Sequence, residues 1–106
     1  MLALKKKEGS VKMKTTKVDG KNKKHHVLLY ALSTCAWCKR TKQFLKNNSI
    51  GFEYIDIDLC SEDDKERIRQ DIIRHGGSLS YPTIIVDDKK LVTGYGEAGI
   101  REAIEI

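Results

Sequence analysis

Two thiols three residues apart, Cys35 and Cys38, stand where the chain changes character. Before them, Val27-Leu28-Leu29-Tyr30-Ala31-Leu32 is a continuous apolar run of strand length. After them, residues 39–47 have helical spacing. Cys-x-x-Cys at a strand-to-helix junction within a βαβ pattern reads as a dithiol redox site. The spacing has a physical reason. In the first turn of a helix, residues three apart share one face, close enough for their sulfurs to bond. Cys35 would stand at the helix N-terminus, where unpaired N–H groups and the helix dipole favour a thiolate. Cys38, one turn in, would be more buried and closer to an ordinary thiol.

The elements around this pair must come from a single modest domain. The chain has 106 residues, 40% hydrophobic and 33% charged, as in a soluble globular protein. No apolar run approaches the ~20 residues of a membrane span. Met1-Leu2-Ala3-Leu4 ahead of lysines is too short for a signal peptide, so a cytoplasmic protein is expected. In that compartment a Cys-x-x-Cys is catalytic or metal-binding more often than a structural bridge. The net charge of +5 is unevenly spread: residues 1–26 hold nine lysines against Glu8 and Asp19, and the rest holds 11 basic and 13 acidic residues. A basic run of that kind could touch nucleic acid or an acidic partner. No aromatic residue is interleaved with the lysines, which weighs against nucleic acid and for a solvated segment.

Residues 1–23 read as a basic extension, disordered over 1–10, with a further strand over 11–18. Asp19-Gly20 supplies a turn signal, and the reading favours a short hairpin between 11–18 and the start of the strand near Lys24. The alternative is that this segment crosses to a sheet edge. Residues 24–106 form the domain proper. The strand near 25–32 is apolar on both faces, as a central parallel strand should be. The helix after it buries Trp37, Thr41, Phe44 and Leu45 and ends near Asn47-Asn48. Residues 52–58 alternate and read as a half-buried strand. Ser61 caps a helix with acids in its first turn and Ile68, Ile72 and Ile73 as its apolar stripe, and Gly76-Gly77 ends it. Pro82, the only proline, opens a strand at Thr83-Ile84-Ile85-Val86, where it costs no interior ladder bond. Residues 87–90 turn into a short antiparallel strand at 91–93. Gly94-Tyr95-Gly96 breaks the chain, and a last helix over 97–104 turns Ile100, Ala103 and Ile104 inward. The order is β-α-β-α-β-β-α.

Cys35-Ala36-Trp37-Cys38 after one strand, Ser80-Tyr81-Pro82-Thr83 before another and Gly94-Tyr95 before the final helix together resemble a glutaredoxin over about residues 26–105. The resemblance implies an α/β thioredoxin/glutaredoxin-like three-layer sandwich. Its mixed four-stranded sheet would run in the order 2-1-3-4, counted from the strand at 25–32, with the N-terminal β extension added. It implies a cis Tyr81–Pro82 bond facing the thiols and a partner-binding groove at Trp37, Tyr81, Pro82, Gly94 and Tyr95. Two positions depart from the glutathione-binding pattern: Ala36 stands where Pro follows the first Cys, and Leu32 where a Lys is common. Thr93-Gly94-Tyr95-Gly96-Glu97 looks more like the glutaredoxin-like redoxins that reduce ribonucleotide reductase and are recharged by a flavin reductase.

The activity implied is reduction of protein or small-molecule disulfides through a Cys35/Cys38 dithiol–disulfide cycle, an electron-carrier role that needs no cofactor. The partners would be disulfide-containing proteins, ribonucleotide reductase among them, with a reductase or a glutathione-like thiol as donor. The competing class is a metal or iron-sulfur cluster carrier. One Cys-x-x-Cys supplies two ligands where zinc takes four, so outside thiols or a dimer would be required. Lys39 and Arg40 would add positive potential beside the motif. Cys60, just before a helix cap, reads as a small semi-buried residue. His25 and His26 are neighbours in a strand, point to opposite faces and read as surface residues.

Overall fold

The alternation of apolar runs and amphipathic stretches builds one mixed sheet with helices on both sides. The computed structural model describes residues 15–106. In chain order the elements are β1 (Thr16–Val18), β2 (Val27–Ala31), α1 (Ala36–Asn47), β3 (Phe52–Asp56), a 3-10 turn (Ile57–Leu59), α2 (Glu62–Arg74), β4 (Thr83–Val86), β5 (Lys90–Thr93) and α3 (Glu97–Ile104). The sheet order is β1-β3-β2-β4-β5. β2 and β3 are parallel; the β2–β4, β4–β5 and β1–β3 pairs are antiparallel. The four core strands therefore lie in the order that the resemblance implies.

β2 is central, and its side chains alternate between two cores. Val27, Leu29 and Ala31 join Cys38, Phe44 and Leu45 of α1, Ile84 and Val86 of β4, and Ile100, Ala103 and Ile104 of α3. Tyr30 joins Ile68 and Ile72 of α2, with Ile55, Ile57 and Ile85, on the other face. Both thiols belong to the α1 side. Burying both faces explains why β2 and β4 read as unbroken apolar runs.

Three expectations are corrected. The hairpin between 11–18 and the strand near 24 does not form. Positions 11–14 lie outside the described residues, and 16–18 pair instead with β3, Thr16 opposite Tyr54 and Val18 opposite Phe52. β2 already has β3 and β4 on its two edges, so the only open edge nearby is the far side of β3. Because β1 is antiparallel to β2, residues 19–26 have only to pass the end of one strand, about 10 Å, well within the reach of eight residues. On the way Asn22 bridges the start of β3: its N–H donates to the Ser49 carbonyl and its carbonyl accepts from Gly51 N–H, both at 2.9 Å. The assignment of residues 1–10 as disordered also falls outside the described residues.

The strand at 52–58 is not half-buried. Its apolar pattern changes phase at Tyr54-Ile55, so Phe52 and Tyr54 pack on the α1 side while Ile55 and Ile57 pack on the α2 side. The strand ends at Asp56, and 57–59 wind into the 3-10 turn. Finally, two residues assigned to buried stripes are exposed: Trp37 at 56% and Ile73 at 51%. Each lies next to a residue that does face the core, Cys38 and Ile72, and a neighbour 100° round a helix is turned away.

Candidate active site

Four chain segments meet around the thiols: the turn after β2, the first turn of α1, the start of β4 and the turn before α3. Cys35 is the N-cap of α1, in extended conformation, and its sulfur accepts the Cys38 N–H at 3.2 Å. The thiol thus takes the place usually held by a Ser or Asp oxygen, satisfying one of the unpaired donors of the helix start. Cys35 is partly exposed and Cys38 is fully buried. Burial, then the hydrogen bond with Cys35, push the Cys38 thiol well up from its ordinary range; the Leu32 N–H, 3.5 Å from its sulfur, and the Lys42 ammonium one turn along α1 act the other way. Lys42 is held by Asp56 at 3.1 Å and lies 4.0 Å over the Tyr54 ring.

Beside the thiols, Trp37, Tyr81, Pro82, Gly94 and Tyr95 line a cleft of about 180 Å³. The five residues singled out in the sequence as a groove are the five that the fold brings together. The Tyr81–Pro82 bond is cis. Pro82 is tied to the far wall by its carbonyl, which accepts Gly94 N–H at 2.7 Å, and Gly94 has φ of 82°, the left-handed region that favours glycine. Trp37 stacks on Tyr95 with ring centroids 5.7 Å apart and planes 25° from parallel. Tyr95 is supported edge-on by Phe44 and donates its hydroxyl to Glu97. Arg40 lays its guanidinium 5.3 Å over Trp37. The site therefore combines one accessible thiol, one buried thiol and an apolar slot with the Arg40 guanidinium at its rim.

Other sequence candidates lie elsewhere. Cys60 packs against the α2-side core, its thiol directed at the Asp56 carbonyl, and burial pushes it up. Among the described residues no third His, Cys, Asp or Glu groups with Cys35 and Cys38 in a metal-binding arrangement. His25 and His26 do diverge, but His25 is no free surface residue. Its ring, 15% exposed, is held between Asp87 and Glu105, while His26 reaches Glu53. Two residues escaped the sequence reading altogether. Ser33, just ahead of Cys35, and Asp58, in the 3-10 turn, are hydrogen-bonded to each other beside the motif. Nothing in the spacing of a serine and an aspartate 25 residues apart announces that contact.

Comparison with known proteins places this geometry. The family model for Glutaredoxin matches residues 27–92. A glutaredoxin-like 8.6 kDa protein of Clostridium pasteurianum, described as uncharacterized and located in a rubredoxin operon, is 33% identical over 79 residues, covering 74% of this chain and 97% of its own. The crystal structure of a glutaredoxin from Methanosarcina mazei superposes with a TM-score of 0.80 at 33% identity, over 89% of this chain and 90% of that one. Methanosarcina acetivorans methanoredoxin gives 0.79 at 35%, over 92% of this chain and all of that one. The match runs through β2, the dithiol helix, the cis proline and β5, and on that ground the chain belongs to the glutaredoxin family.

Proposed function

We propose that this glutaredoxin-family redox protein is a thiol–disulfide oxidoreductase in which Cys35 attacks and Cys38 resolves. The observation that carries the reading is the asymmetry of the two sulfurs: Cys35 is accessible at the helix N-cap with a backbone N–H aimed at it, and Cys38 is buried behind it. Cys35 as thiolate displaces one sulfur of a partner disulfide, which leaves as a thiolate and takes a proton, and a mixed disulfide remains. Cys38 gives up its proton and attacks the Cys35 sulfur, closing Cys35–Cys38 and releasing the second partner thiol. Two electrons and two protons have then passed to the partner, and an external thiol or dithiol reductase restores the pair. The slot at Trp37, Tyr81, Pro82, Gly94 and Tyr95 would hold the chain on either side of the partner disulfide. Residues 24–106 would suffice for this chemistry, with residues 1–23 an extension.

The donor is the finer question. Ala36 and Leu32 depart from the glutathione-using pattern, which favours a dithiol reductase as donor and a protein such as ribonucleotide reductase as acceptor. The test is turnover with disulfide-trapped protein, offered glutathione and a flavin-dependent thioredoxin reductase in separate reactions. Cys35→Ser should abolish reduction of a small disulfide, and Cys38→Ser should accumulate a stable mixed disulfide. Labelling of Cys38 ahead of Cys35 by an alkylating agent at mildly acidic pH would reverse the assigned roles.

A further inference from the structure

The turn that presents Cys35 is held from outside α1. Residues 32–35 close on themselves, with Cys35 N–H donating to the Leu32 carbonyl at 3.2 Å. Ser33 sits at the first corner. Its N–H donates to Asp58 Oδ1 at 2.8 Å and its hydroxyl to Asp58 Oδ2 at 2.5 Å, so one carboxylate takes both donors of one residue. The hydroxyl bond, then the N–H bond, hold the Asp58 carboxyl below its usual range. Asp58 is itself placed firmly: it is the middle residue of the 3-10 turn, which closes with Cys60 N–H on the Ile57 carbonyl at 3.0 Å and is rooted by buried Ile57.

The geometry of this turn decides two contacts at the sulfurs. Leu32 N–H, on the Ala31–Leu32 peptide that leads into the turn, reaches Cys38 Sγ only while Leu32 keeps its place at the start of the turn. Cys35 caps α1 only while the turn brings its backbone into the extended conformation at the helix start. The bond from Ser33 N–H fixes the plane of the Leu32–Ser33 peptide, whose carbonyl accepts Cys35 N–H, and so holds both Leu32 and Cys35 in the turn. Among the described residues, the side chains bonded to the backbone of residues 32–34 are Cys38, on Leu32 N–H, and Asp58, on Ser33 N–H.

We propose that Asp58 is a positioning residue for the dithiol: acting through Ser33, it sets the Leu32–Cys35 turn so that Cys35 caps α1 and Leu32 N–H stays aimed at Cys38 Sγ. The proposal rests on the dithiol reading above. Its effect is geometric. An Asn side chain keeps an acceptor for Ser33 N–H and offers a donor to the Ser33 hydroxyl, whereas Ala keeps neither.

The full chain is compared with its Asp58→Ala, Asp58→Asn, Ser33→Ala and Cys35→Ser variants in the reduction of a small disulfide, with kcat, KM and the pH profile of mixed-disulfide closure recorded. Asp58→Ala is expected to lower kcat about tenfold with little change in KM, since misplaced reacting groups cost rate more than binding. It should also move the closure profile to higher pH, because Cys38 loses a donor that favours its thiolate. Asp58→Asn should restore both to within about threefold. Ser33→Ala, which keeps the backbone bond, should fall between parent and Asp58→Ala; it carries the test alone if Asp58→Ala does not fold, a parent-like profile then overturning the proposal. A kcat and pH profile for Asp58→Ala within about twofold of the parent overturns it, since turn geometry would not then limit the rate. So does an Asn variant as impaired as Ala, which would make the charge and not the clamp responsible. Activity retained by Cys35→Ser sinks the dithiol reading and the proposal with it. An inactive Cys35→Ser beside a parent-like Asp58→Ala sinks the proposal alone.

Discussion

Raising the pH from about 6 to about 8 should destabilise this protein, through a histidine far from the thiols. His75 is the C-cap of α2, and its side chain is 5% exposed. Nδ1 lies 2.8 Å from the Asp71 carbonyl; Nε2 lies 2.9 Å from Asp88 Oδ1 and 3.1 Å from the Asp88 carbonyl. All three neighbours can only accept, so the arrangement favours the imidazolium, in which both ring nitrogens donate. Burial opposes that charge, and Arg74 does so too, but the two carbonyls and the Asp71 carboxylate prevail and the pKa is raised. The same arrangement stands on the other side of the β4–β5 turn. His25 is raised by hydrogen bonds to Asp87 and Glu105, and its bond holds the Asp87 carboxyl down. The two histidines thereby clasp a turn in which Asp87 and Asp88 both have φ of 55°, a conformation that costs about 1–2 kcal/mol per residue without a glycine. The folded state binds more protons than the unfolded chain, so this stability is complete below the ordinary histidine pKa of about 6.5 and is lost as pH rises through the higher folded values. For His75 the slope is at most about 1.4 kcal/mol per pH unit. With a urea m-value of about 1.5–3 kcal/mol/M, the unfolding midpoint should fall by at most about 0.5–1 M per unit. The assay is urea unfolding followed by circular dichroism, kept below about pH 8 so that unfolded cysteines stay protonated. His75→Gln should flatten the decline and His25→Gln/His75→Gln should nearly remove it. A parent midpoint that is level or rises with pH, or an equal decline in the double variant, refutes the imidazolium clasp.

Gly20→Ala should cost about 1–3 kcal/mol in the same unfolding assay, because an added Cβ would lie 2.5 Å from Gly51 N and Ile50 C, backbone that cannot move aside. Gly99→Ala, inside α3 with only Val92 Cγ1 at 3.7 Å, should instead stabilise by about 0.5–1 kcal/mol. Cys60→Ser should keep turnover within about twofold of the parent in the disulfide assay, because Cys60 packs on the α2 side of the sheet, away from the core that holds the dithiol; loss comparable with Cys35→Ser would make Cys60 part of a thiol relay.

What could be read from the sequence was whatever depends on neighbours along the chain. α3 falls at Glu97–Ile104 and β4 at Thr83–Val86, as their patterns require, because an apolar stripe and a breaker on each side bound them locally. The groove residues were legible by resemblance alone, each beside a motif. β1 failed for the opposite reason. Asp19-Gly20 is a sound turn signal, but which edge a strand joins depends on which edges are free, and that is a property of the finished sheet. The turn at Asp19-Gly20 is used to pass the end of β3, where Gly20 has no room for a side chain.

The polar contacts were the least legible part, and they are the part that distinguishes one end of the molecule from the other. Polar groups pair with whatever the topology sets opposite them, so no periodicity marks Ser33 for Asp58 or His75 for Asp88. At the thiol end those contacts include one carboxylate on one turn and two backbone N–H groups on two sulfurs, with the Lys42–Asp56 and Tyr95–Glu97 pairs around them. At the far end they form a charged cluster of Lys24, His25, Asp87 and Glu105, with His75 and Asp88 beyond it. A charged cluster ties loops together but answers to pH. The Leu32 and Cys38 N–H groups that meet the sulfurs are neutral backbone donors and do not titrate. The division follows from where β2 starts and ends: His25 and His26 stand just before it and the turn into the thiols just after it, with the sheet between them.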